Sequence, residues 1–173
     1  MLNGAVLADI TNSEGGFILG SLGPAIIIDN STIESTISNL GQICSVDDAQ
    51  VCRTTESSII VRGSNVSSIF NDTNGLISGS SAIDVEDGST INDISNFGTL
   101  TGIDLAVSVL SGSTVTNINN NGNGAVAVIN GGIALLGNSS VTSINNAAGA
   151  TINGGGLFGD GDAISVDASS LVN

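Results

Sequence analysis

At 173 residues the chain is long enough for one domain with a sizeable core. Its 24 glycines and abundant Asn, Ser and Thr stand beside 40% hydrophobic residues, nearly all Ile, Val, Leu and Ala, which excludes both a disordered polar tract and a helical bundle. A net charge of −14, with Arg53 and Arg62 the only basic residues, excludes nucleic acid and anionic membrane surfaces as partners, and no run of 18 apolar residues spans a bilayer as a helix.

The chain opens inside a pattern rather than on a leader: Met1-Leu2-Asn3-Gly4 lacks the basic and long apolar regions of a signal peptide. It reads either as a mature form or as an excerpt of something longer. Gly4-Ala-Val-Leu-Ala-Asp-Ile-Thr-Asn12 matches Gly88-Ser-Thr-Ile-Asn-Asp-Ile-Ser-Asn96 position for position, so it is part of a first repeat. Fuller copies follow at Ala25–Ile33, Ser58–Val66, Ala82–Ile91, Ala106–Val115, Ile133–Val141 and Ala163–Leu171. After most of them comes a short Ile-x-Asn strand, at Ile37–Asn39, Ile94–Asn96, Ile118–Asn120 and Ile144–Asn146. A third, glycine-flanked piece then carries an apolar residue, as in Gly98–Gly102 and Gly149–Gly154.

Measured at the closing apolar residue, the repeats are 33, 25, 24, 26 and 30 residues apart, from Ile33 through Val66, Ile91, Val115 and Val141 to Leu171. A period near 25 with two longer members predicts an all-β, right-handed parallel β-helix with three short strands per rung. The whole of 1–173 reads as one such domain of roughly seven rungs, partial at both ends, which at about 4.8 Å per rung makes a rod on the order of 33 Å long. The long rungs hold turn insertions at 44–52 and 154–162. Alternation in the strands points Ile83, Val85, Ile91, Ile94, Val107, Val109, Val115 and Ile118 inward, in columns. Gly and Asn supply the left-handed corners, and Asn120, Asn146 and their equivalents are placed to form a side-chain ladder along the axis.

Gly88–Asn96, Gly98–Gly102, Gly112–Asn120 and Gly159–Asp167 resemble the passenger repeats of type V autotransporters, the large surface proteins of Gram-negative bacteria. The resemblance covers nearly the whole chain outside the cysteine loop. It implies export, display at the cell surface, and work as an adhesin, a haemagglutinin or a stalk. The membrane β-barrel of that family is not in this sequence, and cysteine pairs are uncommon in passengers.

Cys44 and Cys52 flank a short polar run, and without histidine they cannot build a typical structural zinc site. A local disulfide in an oxidising compartment is the expected reading, with two buried thiols as the alternative. Asp160 and Asp162 in Gly-Asp-Gly-Asp are a weak calcium candidate, set against a plain glycine-rich turn. Asp84, Glu86, Asp87, Asp104 and Arg62 fall on neighbouring rungs and stack into an acidic patch. The sequons at Asn30, Asn65, Asn71 and Asn138 are what chance yields in so Asn- and Ser-rich a chain.

The expected function is therefore a non-enzymatic extracellular β-solenoid: a surface adhesin or stalk segment, or a filament subunit. Its partners are further rungs of a longer chain or a second copy stacked head to tail through Met1, Leu2, Leu171 and Val172, with a host or surface glycan as a further partner. The alternative is a polysaccharide-active enzyme of lyase or glycosidase type, disfavoured by the lack of Lys, His and aromatic sugar platforms.

Overall fold

A computed structural model describes residues 1–47, 52, 56–122, 126–155 and 161–172. Strands stack in parallel into a β-solenoid of about six turns, and no helix occurs among the described residues. Three faces recur. The first is built from Ile26–Asp29, Ile59–Arg62 and their successors to Ile164–Val166, the second from Thr32–Asn39 to Ser140–Asn146. The third comprises Phe17–Ser21, Gln42–Val46, Val128–Gly131 and Thr151–Gly154, with the front halves of the two 11-residue strands Leu76–Glu86 and Thr99–Val109. Those two strands run on across a vertex, so their second halves belong to the first face.

The apolar periodicity becomes columns. On the first face Ile26, Ile59, Ile83, Val107 and Ile133 stack in register, as do Ile28, Val61, Val85, Val109 and Leu135. The second face contributes Ile33, Val66, Ile91, Val115 and Val141, with Ile37, Ile69, Ile94 and Ile118 beside them. Ile43, Ile77, Leu100 and Ile129 close the third side. All eight residues expected inward are buried in this one core. Each such aliphatic side chain removed from water contributes about 1.5–3 kcal/mol.

Two details differ from the sequence expectation. The repeated segment taken as one strand, such as Ala25–Ile33, turns a corner in its middle, at Asn30 and Ser31. Its closing apolar residue joins the following Ile-x-Asn in a single strand, in which Val66 and Ile69, or Ile91 and Ile94, both face inward three residues apart. Strict alternation breaks once in each such strand, which is why the sequence looked like two. In the last copy, Val172 and not Leu171 pairs with Val141; Leu171 lies opposite Ser140 and is exposed. That rung is therefore one residue longer than the spacing to Leu171 gave.

Each vertex has its own device. Between the first and second faces the chain turns through left-handed residues, Asn30, Gly63, the pairs Asp87–Gly88 and Ser111–Gly112, and Gly137–Asn138. Glycine, Asn and Asp tolerate that region best. A serine follows each turn, buried at Ser31, Ser64, Ser89, Ser113 and Ser139 and half-buried at Ser170. Its hydroxyl accepts the backbone N–H of the rung before: Ser31 N–H to Ser64 Oγ (2.9 Å), Ser64 to Ser89 (3.1 Å), Ser89 to Ser113 (3.2 Å) and Ser139 to Ser170 (3.2 Å). Between the second and third faces stand Asn12, Asn39, Asn71, Asn96, Asn120 and Asn146. Each Nδ2 donates to the Oδ1 of the next at 2.8 Å. Between the third and first faces glycines align, Gly79 with Gly102 and Gly131 with Gly154. A Cβ on Gly102 would collide with the Leu105 carbonyl, so no larger residue fits that bend.

Candidate functional site

The third-to-first vertex is where the rungs stop being alike. Both insertions emerge there, one between Gln42–Val46 and Ile59–Arg62, the other between Thr151–Gly154 and Ile164–Val166. The intervening rungs cross tightly. Gly79 pairs with Gly102 and Ser81 with Leu105, so Ser80 alone stands opposite Ile103 and Asp104. That extra residue is a β-bulge, a device that re-aims a side chain.

Cys44 and Cys52 are bonded, with Cα atoms 5.2 Å apart, as their flanking of a short polar run predicted. Cys44 lies on the outer side of the third face yet is wholly buried. The returning limb of the insertion is stitched to the next rung. Ser78 Oγ donates to the Cys52 carbonyl (2.9 Å), the Ser80 N–H to the Glu56 carbonyl (2.9 Å), and Ser57 Oγ to Asp84 Oδ2 (2.5 Å). A disulfide at this position is in keeping with an oxidising environment.

The expected acidic patch divides in two. Glu86 lies opposite Arg62 in register and accepts from both Nε (2.8 Å) and Nη2 (2.5 Å), with Asp87 Oδ2 3.7 Å from Nε. The hydrogen bond and charge of Glu86 raise the Arg62 pKa further. Asp84 and Asp104 instead line a cleft of about 190 Å³ with Ser57, Ser80, Ser81 and Ser108, walled by Leu105, Leu110 and Leu136. Asp104 Oδ2 accepts from Ser80 Oγ (2.7 Å), while Asp104 Oδ1 is sealed from solvent and has no donor. On the other side of the same vertex a groove of about 560 Å³ runs past Cys52, Leu76, Ser78, Thr101, Ile103 and Asn130.

The remaining expected residues are scattered. Asp160 lies outside the described residues, and Asp162 is exposed beside the strand Ile164–Val166. No three His, Cys, Asp or Glu side chains converge for a metal among the described residues. Leu2 pairs with Ile28 on the first rung and is half-buried, Met1 beside it is exposed, and Leu171 and Val172 are exposed on the last rung. The sequon residue Asn71 is buried within the asparagine ladder, whereas Asn30, Asn65 and Asn138 are exposed.

Sequence reading missed the serine ladder, although its signal was there: Ser31, Ser64, Ser89, Ser113, Ser139 and Ser170 each stand two residues before a buried or registered apolar one. It also missed the cap at Asp167. That carboxylate accepts the Gly137 N–H (2.8 Å) and, with help from the Ser170 and Ser169 hydroxyls, is held down to about 2. The chain matches no protein-family model, none of the curated proteins compared with it and no solved structure, so its chemistry is read from its own residues.

Proposed function

We propose that this chain is a non-catalytic structural rod that works outside the cell, as a stalk or adhesin segment whose rungs stack end to end. The observation that carries this reading is the one-way asparagine ladder. From Asn12 to Asn120 each Nδ2 donates toward the C-terminal rung, and it also reaches nearby carbonyls, such as Gly98 and Val128 for Asn96. A rung added after Asn146 therefore meets an amide donor, and one added before Asn12 meets a carbonyl acceptor, so growth is polar and in register.

The surface favours the same role. Its charge is strongly one-signed, which keeps rods apart sideways while leaving axial stacking open. The covalent clamp on the 44–52 insertion suits an extracellular setting. In this reading the next rung comes from the chain's own continuation or from a second copy, and autotransporter-like display is one route to the cell surface.

Electron microscopy and sedimentation of the purified 173-residue protein test this. Rods or fibres that lengthen with concentration without thickening are expected. Globular or laterally clumped particles, or turnover of acidic polysaccharides by the purified protein, would overturn it.

A further inference from the structure

We propose that the cleft at Asp84 and Asp104 binds an alkylammonium group, a compact cation on an apolar stem such as a lysine side chain carries. The head of the cleft is acidic and hydroxyl-lined, through Asp84, Asp104 and Ser57, Ser80, Ser81 and Ser108, and its walls are leucine. The second and independent feature is Asp104 Oδ1, buried and without a donor. A carboxylate oxygen out of water with no partner is costly, so the site is incomplete as it stands. The terminal torsion of an aspartate is soft, so a donor entering the cleft reaches that oxygen by a small rotation.

The chemistry of the occupant follows from what is already bonded. One oxygen of each carboxylate is taken by a serine hydroxyl, Ser57 on Asp84 and Ser80 on Asp104. A planar guanidinium fork wants both oxygens of one carboxylate, whereas an ammonium directs three separate donors to separate acceptors. Calcium seeks six to eight oxygens, and no third acidic side chain converges here among the described residues. These 173 residues contain no lysine, so neither they nor a second copy of them supplies such a side chain. Arg62 is already engaged by Glu86. The occupant therefore comes from outside these 173 residues, and their net charge of −14 favours the approach of a cation.

The test is an NMR titration of the ¹⁵N-labelled 173-residue protein with Nα-acetyl-lysine amide, cadaverine, the arginine and norleucine analogues of the first, and calcium. Saturable shifts confined to Ser80, Ser81, Leu105 and Ser108 are expected with the two amines. The arginine analogue should bind about tenfold more weakly, and norleucine amide not at all. Tighter binding of the lysine amide than of cadaverine points to a polypeptide lysine as the source, and the reverse order to a free diamine. Asp104→Asn should abolish the shifts, because it removes one of the two carboxylate charges that face the bound ammonium. Asp84→Asn repeats the binding test should that variant fail to fold. Absent or unsaturable shifts, tighter binding of calcium or of the arginine analogue, or unchanged binding in both variants would overturn the assignment.

Discussion

The asparagine vertex and the insertion vertex are made by the same rungs and obey opposite rules. At the first, six rungs present the same residue in the same register, and each inner amide is both donor and acceptor. At the second, one rung crosses with Ser80, the next with Ile103 and Asp104, and two others admit long insertions. Repetition allows hydrogen bonds to polarise one another along the axis, so a substitution there disturbs two neighbours at once. An insertion costs little at a corner, where a loop can leave the rod without displacing the aliphatic columns. Stability and variation are thus assigned to different edges of one triangle, and the only buried orphan oxygen found among the described side chains lies on the variable edge.

The largest effect should come from breaking what both vertices share, the inner wall. Val109 is fully buried between Val85 and Leu135. Val109→Asp places a lone charge among aliphatics and should cost on the order of 4 kcal/mol or more in denaturant unfolding, or prevent folding. An unchanged melting temperature would mean the columns are misassigned. Next comes the repetitive vertex itself. Asn96 accepts from Asn71 and donates to Asn120 and to the carbonyls of Gly98 and Val128, so Asn96→Ala should cost about 2–4 kcal/mol. Asn145→Ala, an exposed asparagine one residue from the ladder, should stay within about 0.5 kcal/mol. Equal losses at the two sites would remove the distinction between ladder and surface.

The insertion vertex should respond more mildly. Cys44 and Cys52 close a loop of sequence separation 8, for which chain entropy gives at most about 2.5 kcal/mol. The double change Cys44→Ser with Cys52→Ser should lower stability by that much or less. Its mark should be local: amide protection is lost at Ser80, which the insertion's Glu56 carbonyl holds, and kept at Ile91 and Ile118. Protection lost evenly along the rod would show that the loop braces the core.

How far these features could be read in advance depended on whether they repeat. Ile, Val and Asn recur at fixed offsets, so the solenoid, its inward residues and the asparagine ladder were legible in the sequence. The corner at Asn30–Ser31 was not, because an asparagine in the left-handed region leaves the apolar spacing undisturbed. The last rung slipped by one because Leu171 and Val172 are both apolar; only Ser170, locked under the Ser139 N–H, tells them apart. The split of the acids was equally hidden. Lateral register sets Arg62 against Glu86, and a one-residue bulge sends Asp104 into the cleft with Asp84, and neither is a local property of the chain.

The smallest effect concerns the last described rung, where Asp167 caps the exposed turn at Gly137 and Asn138. Its carboxylate accepts the Gly137 N–H and the Ser169 N–H and hydroxyl, and these donors favour the charged form, lowering its pKa from the usual 3.8 to about 2. A depressed folded-state pKa means the cap contributes in full above the unfolded value, near 3.8, and fades as pH falls through about 2. The carboxylate sits at the surface and is only partly covered, so solvent screens the gain and the global melting temperature should hardly move. The signature is therefore local and tied to pH. Carbon-detected titration should find Asp167 ionised well below the ordinary aspartate range, and the Gly137 amide should exchange faster as pH falls from 4 toward 2. Over that range the Ser64 and Ser89 amides, held by neutral serine hydroxyls at the same vertex, should keep their protection. An ordinary pKa at Asp167, or a Gly137 exchange profile parallel to that of Ser64, would mean that this turn is held by the same neutral ladder as the others and that the charge adds nothing.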